Sequence, residues 1–201
     1  MYMNTLYKIY SLPKNYKVLE IDFPKCCFEG TIDEVFEKLK ENNGWHIRIN
    51  PDNKCIAFGD FDHTTQEEFN KFLNLICKEF SCTLNEISYT ESKKSEIEYS
   101  YHWSIPSIET TPTILLSEFK RNIYDEYENK LDKNVYHSLF LRLPNQTNKI
   151  KKLEHKIING TMKDFIIEYI ENAEYDFISS NTSTPAINED KKIVSTEIKL
   201  S

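Results

Sequence analysis

The chain has 201 residues, of which 39% are hydrophobic and 13% aromatic, and this apolar content excludes global disorder and suffices for one sizeable packed domain. The net charge of −7 argues against a protein that coats nucleic acid over its whole surface, because such proteins are basic overall. No apolar run reaches the roughly 18 residues of a membrane span, and no cleavable leader is recognisable, so we expect an intracellular protein without a membrane partner.

The first part of the chain predicts helices and strands in succession. Residues 1–30 contain proline and glycine breakers and predict irregular structure. The two helices that follow each begin with a Thr-x-x-Glu capping box and carry an apolar stripe. The expected elements are a helix that begins at Thr31 and is ended by residues 42–44, a strand at 45–49, a strand at 54–62 and a helix at 65–80.

The second part predicts a hairpin and further short elements. The expected elements are strands at 84–90 and 97–105, a helix at 114–129, short strands at 135–136 and 139–143, and a helix at 161–172. The fold class is therefore α/β (α+β), and the hairpin spacing favours a mixed sheet over a parallel one. We expect one domain at 1–178, and a disordered tail or linker at 179–201, where the chain is rich in serine, threonine and asparagine.

Two carboxylates stand at the end of the second predicted strand. Asp60 and Asp62 lie on the same face because side chains alternate along a strand. Such a pair repels itself unless a cation lies between the carboxylates, and hard oxygen ligands suit Mg²⁺ or Mn²⁺. An aspartate before a helix is more often a cap or turn residue, so the pair alone is a weak indication of metal binding.

Two further groups of polar residues follow. Ser100 and His102 share the polar face of the strand at 97–105, where an imidazole beside a hydroxyl suits a phosphate oxygen. In the segment from Leu131 to Lys149, which overlaps a locally basic stretch at 133–163, Asp132 is a possible carboxylate ligand, and Arg142 and Lys149 are possible phosphate-neutralising cations. The ordinary alternative for each group is a solvated surface.

The order and spacing of these residues carry more information than any one of them. FGDFD, then SYH, then LDKNVYHSLFLRLPNQTNK resembles the three motifs of the archaeo-eukaryotic primases. These motifs have the forms hydrophobic-D-hydrophobic-D, s-x-H, and hydrophobic-D followed by a run that contains arginine and ends in lysine. The resemblance covers roughly half of the chain and is closest to the primase-helicases of large DNA viruses of eukaryotes.

The resemblance implies an RRM-like catalytic core next to an N-terminal α/β module, with the active site between them. It implies that divalent metal (Mg²⁺ or Mn²⁺) is held by Asp60, Asp62 and Asp132, and that nucleotide phosphates are held by Ser100, His102, Arg142 and Lys149. The implied activity is DNA primase or primase-polymerase nucleotidyl transfer with two metal ions. The implied partners are a single-stranded DNA template, nucleoside triphosphates and a replicative helicase, either fused or separate.

The chain departs from the family pattern in two places. Many relatives have an additional arginine shortly before the position of Arg142, where this chain has Ser138 and Leu139. A basic residue often precedes the serine of s-x-H by two positions, where this chain has Glu98. No P-loop is present either, so the helicase module is absent from this chain.

Two alternatives to an active primase remain open from the sequence. One is a catalytically inactive nucleic-acid-binding or replisome-scaffold domain of the same fold. The other is a replication-initiator nuclease, which needs an H-x-H pair that this sequence lacks. For a viral primase we expect the host cytoplasm or the nucleus as its location.

Overall fold

A computed structural model of the chain describes residues 6–12, 26–137, 140–148, 152–167 and 176–177. Its strands are β1 (Tyr7–Ser11), β2 (Cys27–Gly30), β3 (Trp45–Arg48), β4 (Cys55–Thr64), β5 (Ser88–Lys93), β6 (Tyr99–Thr110), β7 (Phe140–Arg142), β8 (Lys156–Asn159) and β9 (Asp176–Phe177). Its α-helices are α1 (Ile32–Leu39), α2 (Gln66–Glu79), α3 (Pro112–Asn122) and the short α4 (Tyr124–Tyr127). Turns of 3-10 helix occur at Leu84–Glu86, Lys133–Tyr136 and Met162–Phe165.

The described strands form two sheets. The first sheet has the order β2-β1-β3-β7, and its neighbours are antiparallel. The second has the order β4-β6-β5-β8, also with antiparallel neighbours, and β9 joins β6 in parallel. The expected α+β class is therefore confirmed. The expectation of irregular structure at 1–30 is wrong, because β1 and β2 pair with each other inside that range.

Both predicted capping boxes are present and begin helices. The hydroxyl of Thr31 accepts the main-chain N–H of Glu34, whose carboxylate accepts the N–H of Thr31, and Thr65 and Glu68 repeat the arrangement. These bonds satisfy N–H groups that have no partner within the helix. The apolar stripe of α2 is buried against the second sheet, which anchors the helix beside β4.

Several expected boundaries differ because side chains redirect the main chain. The hairpin strands lie at Ser88–Lys93 and Tyr99–Thr110 instead of 84–90 and 97–105, since a capping box at Thr83 begins a 3-10 turn. The expected strand at 135–136 is also a 3-10 turn, because the carboxylate of Asp132 accepts the N–H of Asn134.

The two late helices are shorter than expected. The helix expected at 114–129 begins earlier, at Pro112, and is interrupted at Ile123 between α3 and α4. The helix expected at 161–172 is a 3-10 turn at Met162–Phe165, followed by two residues that are not helical. Residues 168–172 and the expected tail at 179–201 lie outside the described ranges.

One face of β4 and β6 supports a large aromatic core. Phe69 of α2 stacks on Tyr101 with ring centroids 3.7 Å apart, and Phe72 stacks on Phe61 at 4.3 Å. Trp103 packs edge to face against Phe72 and Phe119. Such close packing has little room to deform, so it holds the two strands in a fixed register. The opposite face of the same strands carries the polar residues.

Candidate functional site

The motif residues meet on the polar face of β4 and β6. Asp60 and His102 are directly opposite each other across these two antiparallel strands. The carboxylate Oδ2 of Asp60 lies 3.6 Å from His102 Nε2, which is too long for a hydrogen bond. The expectation that these two strands are neighbours with Asp60 and His102 on a shared face is confirmed.

A β-bulge follows Asp60 and shapes the end of β4. Phe61 pairs with Tyr101, but the next pair joins Thr64 to Tyr99, so one extra residue is accommodated in β4. His63 takes a left-handed conformation with φ of 50°, and its Nδ1 lies 2.6 Å from the Glu98 carboxylate. Bulges increase local twist and re-aim neighbouring side chains. The period-two pattern of the sequence did not predict this bulge.

The carboxylate of Asp62 is held by Lys94 and Ser100. The ammonium of Lys94 donates to Asp62 Oδ1 at 2.7 Å, and the Ser100 hydroxyl forms a further hydrogen bond with the carboxylate. Burial by itself raises the pKa of Asp62, but these hydrogen bonds outweigh it and lower that pKa below its ordinary value. Asp62 is therefore ionised at neutral pH. The sequence analysis did not predict Lys94 as a site residue, because it lies in an ordinary charged turn.

Asp132 is placed beside Asp60 by a short antiparallel bridge. Leu131 pairs with Phe61 across this bridge. The N–H of Asp132 donates to the carbonyl of Asp60 at 3.1 Å, and the N–H of Asp62 donates to the carbonyl of Lys130 at 2.7 Å. Two segments 70 residues apart thus meet at one strand edge, as the site prediction requires. The carboxylate of Asp132 accepts the N–H of Asn134, so one of its oxygens is already engaged.

The carboxyl of Asp60 has the most strongly shifted pKa of the three aspartates in the site. Burial, followed by the charges of Asp62 and Asp132, raises its pKa well above the ordinary value. Its buried Oδ1 has no hydrogen-bond partner within the described residues. A buried oxygen without a partner is costly, and a cation between these carboxylates would remove that cost. Within the same residues, no three side chains of the His, Cys, Asp or Glu type are gathered into a ready-made metal cluster.

His102 is a neutral imidazole in a buried polar layer. Burial, and next the charge of Arg142, lower the pKa of His102 to about 3. Its ring stacks on that of His155 at 3.7 Å between centroids, and His155 Nδ1 lies 3.1 Å from the hydroxyl of Thr90. The polar face of β6 is thus buried at Ser100, His102 and Ser104, and the ordinary alternative of a solvated surface does not hold for Ser100 and His102. Neither His155 nor Thr90 had a motif or spacing that singled it out.

Arg142 approaches the site from the other sheet. It pairs with His46 between β3 and β7, and the ring of His102 hydrogen-bonds to its main chain. Burial lowers the pKa of its guanidinium, and the charges of Asp60 and Asp62 oppose that shift. Its Nε is buried without a hydrogen-bond partner among the described residues. Lys149, the remaining predicted phosphate ligand, lies outside the described ranges.

No protein-family model matches the chain, and no curated protein matches it. Among the described residues, no helix is long and apolar enough to cross a membrane.

Proposed function

We propose that this chain is a DNA primase or primase-polymerase domain that transfers nucleotides onto a growing strand under the direction of a single-stranded DNA template. The observation that carries the proposal is the meeting of three separate motifs at one place. Asp60 faces His102 across β4 and β6, Asp132 adjoins Asp60 through the bridge at Leu131, and Arg142 approaches from the first sheet.

The strand order also supports an RRM-like core. The succession β4, α2, β5, β6, α3 and then the bridged segment at Leu131 is a β-α-β-β-α-β arrangement. In space, the bridged segment lies beside β4, which is followed by β6 and β5. The first sheet supplies the adjoining N-terminal module, and the proposed site lies where Arg142 of that sheet meets β4 and β6.

The donor set fits a divalent cation. Asp60 and Asp62 present carboxylates on one face, Asp132 adjoins them, and Asp60 Oδ1 has no partner within the described residues. These are hard oxygen ligands of the kind that Mg²⁺ and Mn²⁺ prefer. When bound, such ions lower the pKa of an attacking hydroxyl and neutralise charge on the triphosphate.

The remaining residues have roles in binding the nucleotide. In this proposal the guanidinium of Arg142 binds phosphate oxygens of the nucleoside triphosphate. Its Nε has no hydrogen-bond partner among the described residues, and its charge acts on Asp60 and His102. His102 is proposed as a further residue of the nucleotide site, where its low pKa keeps the ring uncharged and its hydrogen bond to the main chain of Arg142 helps to position that arginine. Ser100 positions Asp62 through a hydrogen bond. Lys149 is proposed as a further phosphate ligand, and a helicase as the replication partner.

The test is incorporation of a labelled nucleotide on a single-stranded DNA template in the presence of Mg²⁺ or Mn²⁺. The wild type should synthesise product, and Asp60→Asn should abolish it. The matched control is Asp33→Asn, which alters an exposed carboxylate in the first turn of α1. Activity that persists in Asp60→Asn excludes this mechanism, and an inactive wild type that still binds single-stranded DNA favours the scaffold alternative.

A second comparison tests the phosphate site. Arg142→Ala should raise the KM for the nucleotide on the order of tenfold to a hundredfold, the range that corresponds to a charged hydrogen bond of about 1.5–3 kcal/mol. Arg121→Ala is the control, because Arg121 is an exposed residue of α3 that pairs with Glu118 on the same helix. Equal KM values in the two variants place the triphosphate elsewhere.

A further inference from the structure

Lys94 occupies the position beside Asp62 where a divalent ion would be expected to bind. Its ammonium lies 2.7 Å from Asp62 Oδ1, and both side chains are partly buried, with 21% of Lys94 and 30% of Asp62 exposed. Neither the resemblance nor the spacing of the motifs assigns this lysine a role. Its charge lowers the pKa of Asp62 and also acts on that of Asp60.

The main chain around Lys94 is anchored independently of this contact. The N–H groups of Lys94 and Ser95 both donate to the carbonyl of Glu98, at 2.8 and 3.2 Å, and the N–H of Glu98 donates to the Ser95 hydroxyl. Lys94 therefore leaves Asp62 by rotation of its flexible side chain alone. Both side chains are partly exposed, so the loss of this one ion pair is a small cost.

A cation and the ammonium cannot share the same carboxylate oxygen. Lys94 donates to Asp62 Oδ1, and the main-chain N–H of Asn134 donates to Asp132 Oδ1. A divalent ion that binds between Asp60 and Asp62 brings two positive charges next to the ammonium, and like charges at contact distance repel.

We propose that Lys94 is the resident counter-cation of this site and that it is exchanged for the divalent ion when the metal binds. This inference rests on the proposed function, since that function supplies the metal. Without the divalent ion, Lys94 neutralises Asp62 and holds its carboxylate in place. Metal binding releases the ammonium into solvent, so the divalent ion binds more weakly than it does to the same carboxylates without Lys94.

The direct test is acetylation of the folded wild-type protein by an amine-reactive ester, with and without Mg²⁺, read out by mass spectrometry at each lysine. Mg²⁺ should accelerate acetylation of Lys94 on the order of fivefold, the factor that corresponds to about 1 kcal/mol for a partly exposed ion pair. The adjacent Lys93 is the internal control, because it is exposed and its ammonium lies over the Tyr99 ring instead. In Asp62→Asn, Lys94 should react at the fast rate whether or not Mg²⁺ is present.

Binding of Mn²⁺, measured from the free ion by electron paramagnetic resonance, completes the test. Lys94→Met keeps the length of the side chain without its charge and should tighten Mn²⁺ binding about fivefold, while Lys93→Met should not change it. If the wild type binds Mn²⁺ but Mg²⁺ leaves the Lys94 acetylation rate unchanged, the exchange is refuted and the proposed function stands. If the wild type binds no Mn²⁺ at all, the proposed function fails and the exchange fails with it.

Discussion

Asp60→Asn should change the pH dependence of stability in a way that reports directly on the buried carboxyl. The pKa of Asp60 is raised in the native state, chiefly by burial and then by Asp62 and Asp132. The native protein therefore keeps a proton that the unfolded chain releases above about pH 4. The stabilising contribution of that proton is complete below the unfolded pKa and is lost as the pH rises through the native pKa. Asparagine has the same shape as the protonated acid and no such dependence.

The slope of the free energy of unfolding against pH is set by the one proton that Asp60 binds in the native state and releases on unfolding. Between the two pKa values of Asp60, the free energy of unfolding of the metal-free wild type should fall by about 1.4 kcal/mol per pH unit relative to Asp60→Asn. The variant should therefore be the more stable protein at neutral pH in EDTA, and the two should converge at about pH 4. Other titrating groups act on both proteins alike, so the difference isolates Asp60.

Urea unfolding in EDTA at half-unit intervals from about pH 4 to about pH 7 measures this difference. Mn²⁺ should then raise the melting temperature of the wild type and not that of Asp60→Asn, because a ligand stabilises only the state that binds it. A difference between the two proteins that stays constant with pH refutes the reasoning, as does a variant that is less stable than the wild type at neutral pH.

Three other changes probe the surroundings of the site. The wild type should lose stability below about pH 6.5, because His102, with a pKa of about 3, and the buried His155 bind protons only after unfolding. In urea unfolding of His155→Phe, the free energy of unfolding should fall less steeply with decreasing pH, by the equivalent of one proton or about 1.4 kcal/mol per pH unit. Tyr136→Phe removes a buried hydrogen bond to a main-chain carbonyl of β4 and should cost about 1–2 kcal/mol in urea unfolding. Gly59→Ala places a methyl group 2.7 Å from the Trp103 ring and from the Tyr136 hydroxyl, and should lower the free energy of unfolding by about 1–3 kcal/mol in the same assay. An unchanged urea midpoint contradicts the packing described for β4.

Local sequence patterns predicted the elements whose causes lie within a few residues. The capping boxes at Thr31 and Thr65 begin α1 and α2 because donor, acceptor and apolar stripe all lie within two turns. The capping box at Thr161 is also present, yet it begins only a 3-10 turn. A cap satisfies the first N–H groups of a helix, but the length of the helix depends on packing along the rest of it.

The residues of the candidate site also fall into those that local sequence patterns predicted and those that only the folded chain brought together. The period of a strand put Asp60 and Asp62 on one face, and the motif spacing singled out His102 and Arg142, all from the sequence alone. Only the tertiary structure placed Lys94 on Asp62, because that contact depends on the bulge in β4 and on the hairpin register.

The remaining features also required the folded chain. His155 lies against His102 because β8 pairs with β5, a contact between segments more than 50 residues apart. Asp132 adjoins Asp60 because one isolated bridge closes at Leu131. Residue type and spacing along one strand are encoded by near neighbours, so they can be inferred from the sequence. Which distant strand lies alongside, and in which register, is decided by the burial of the whole aromatic core, and that requires the tertiary structure.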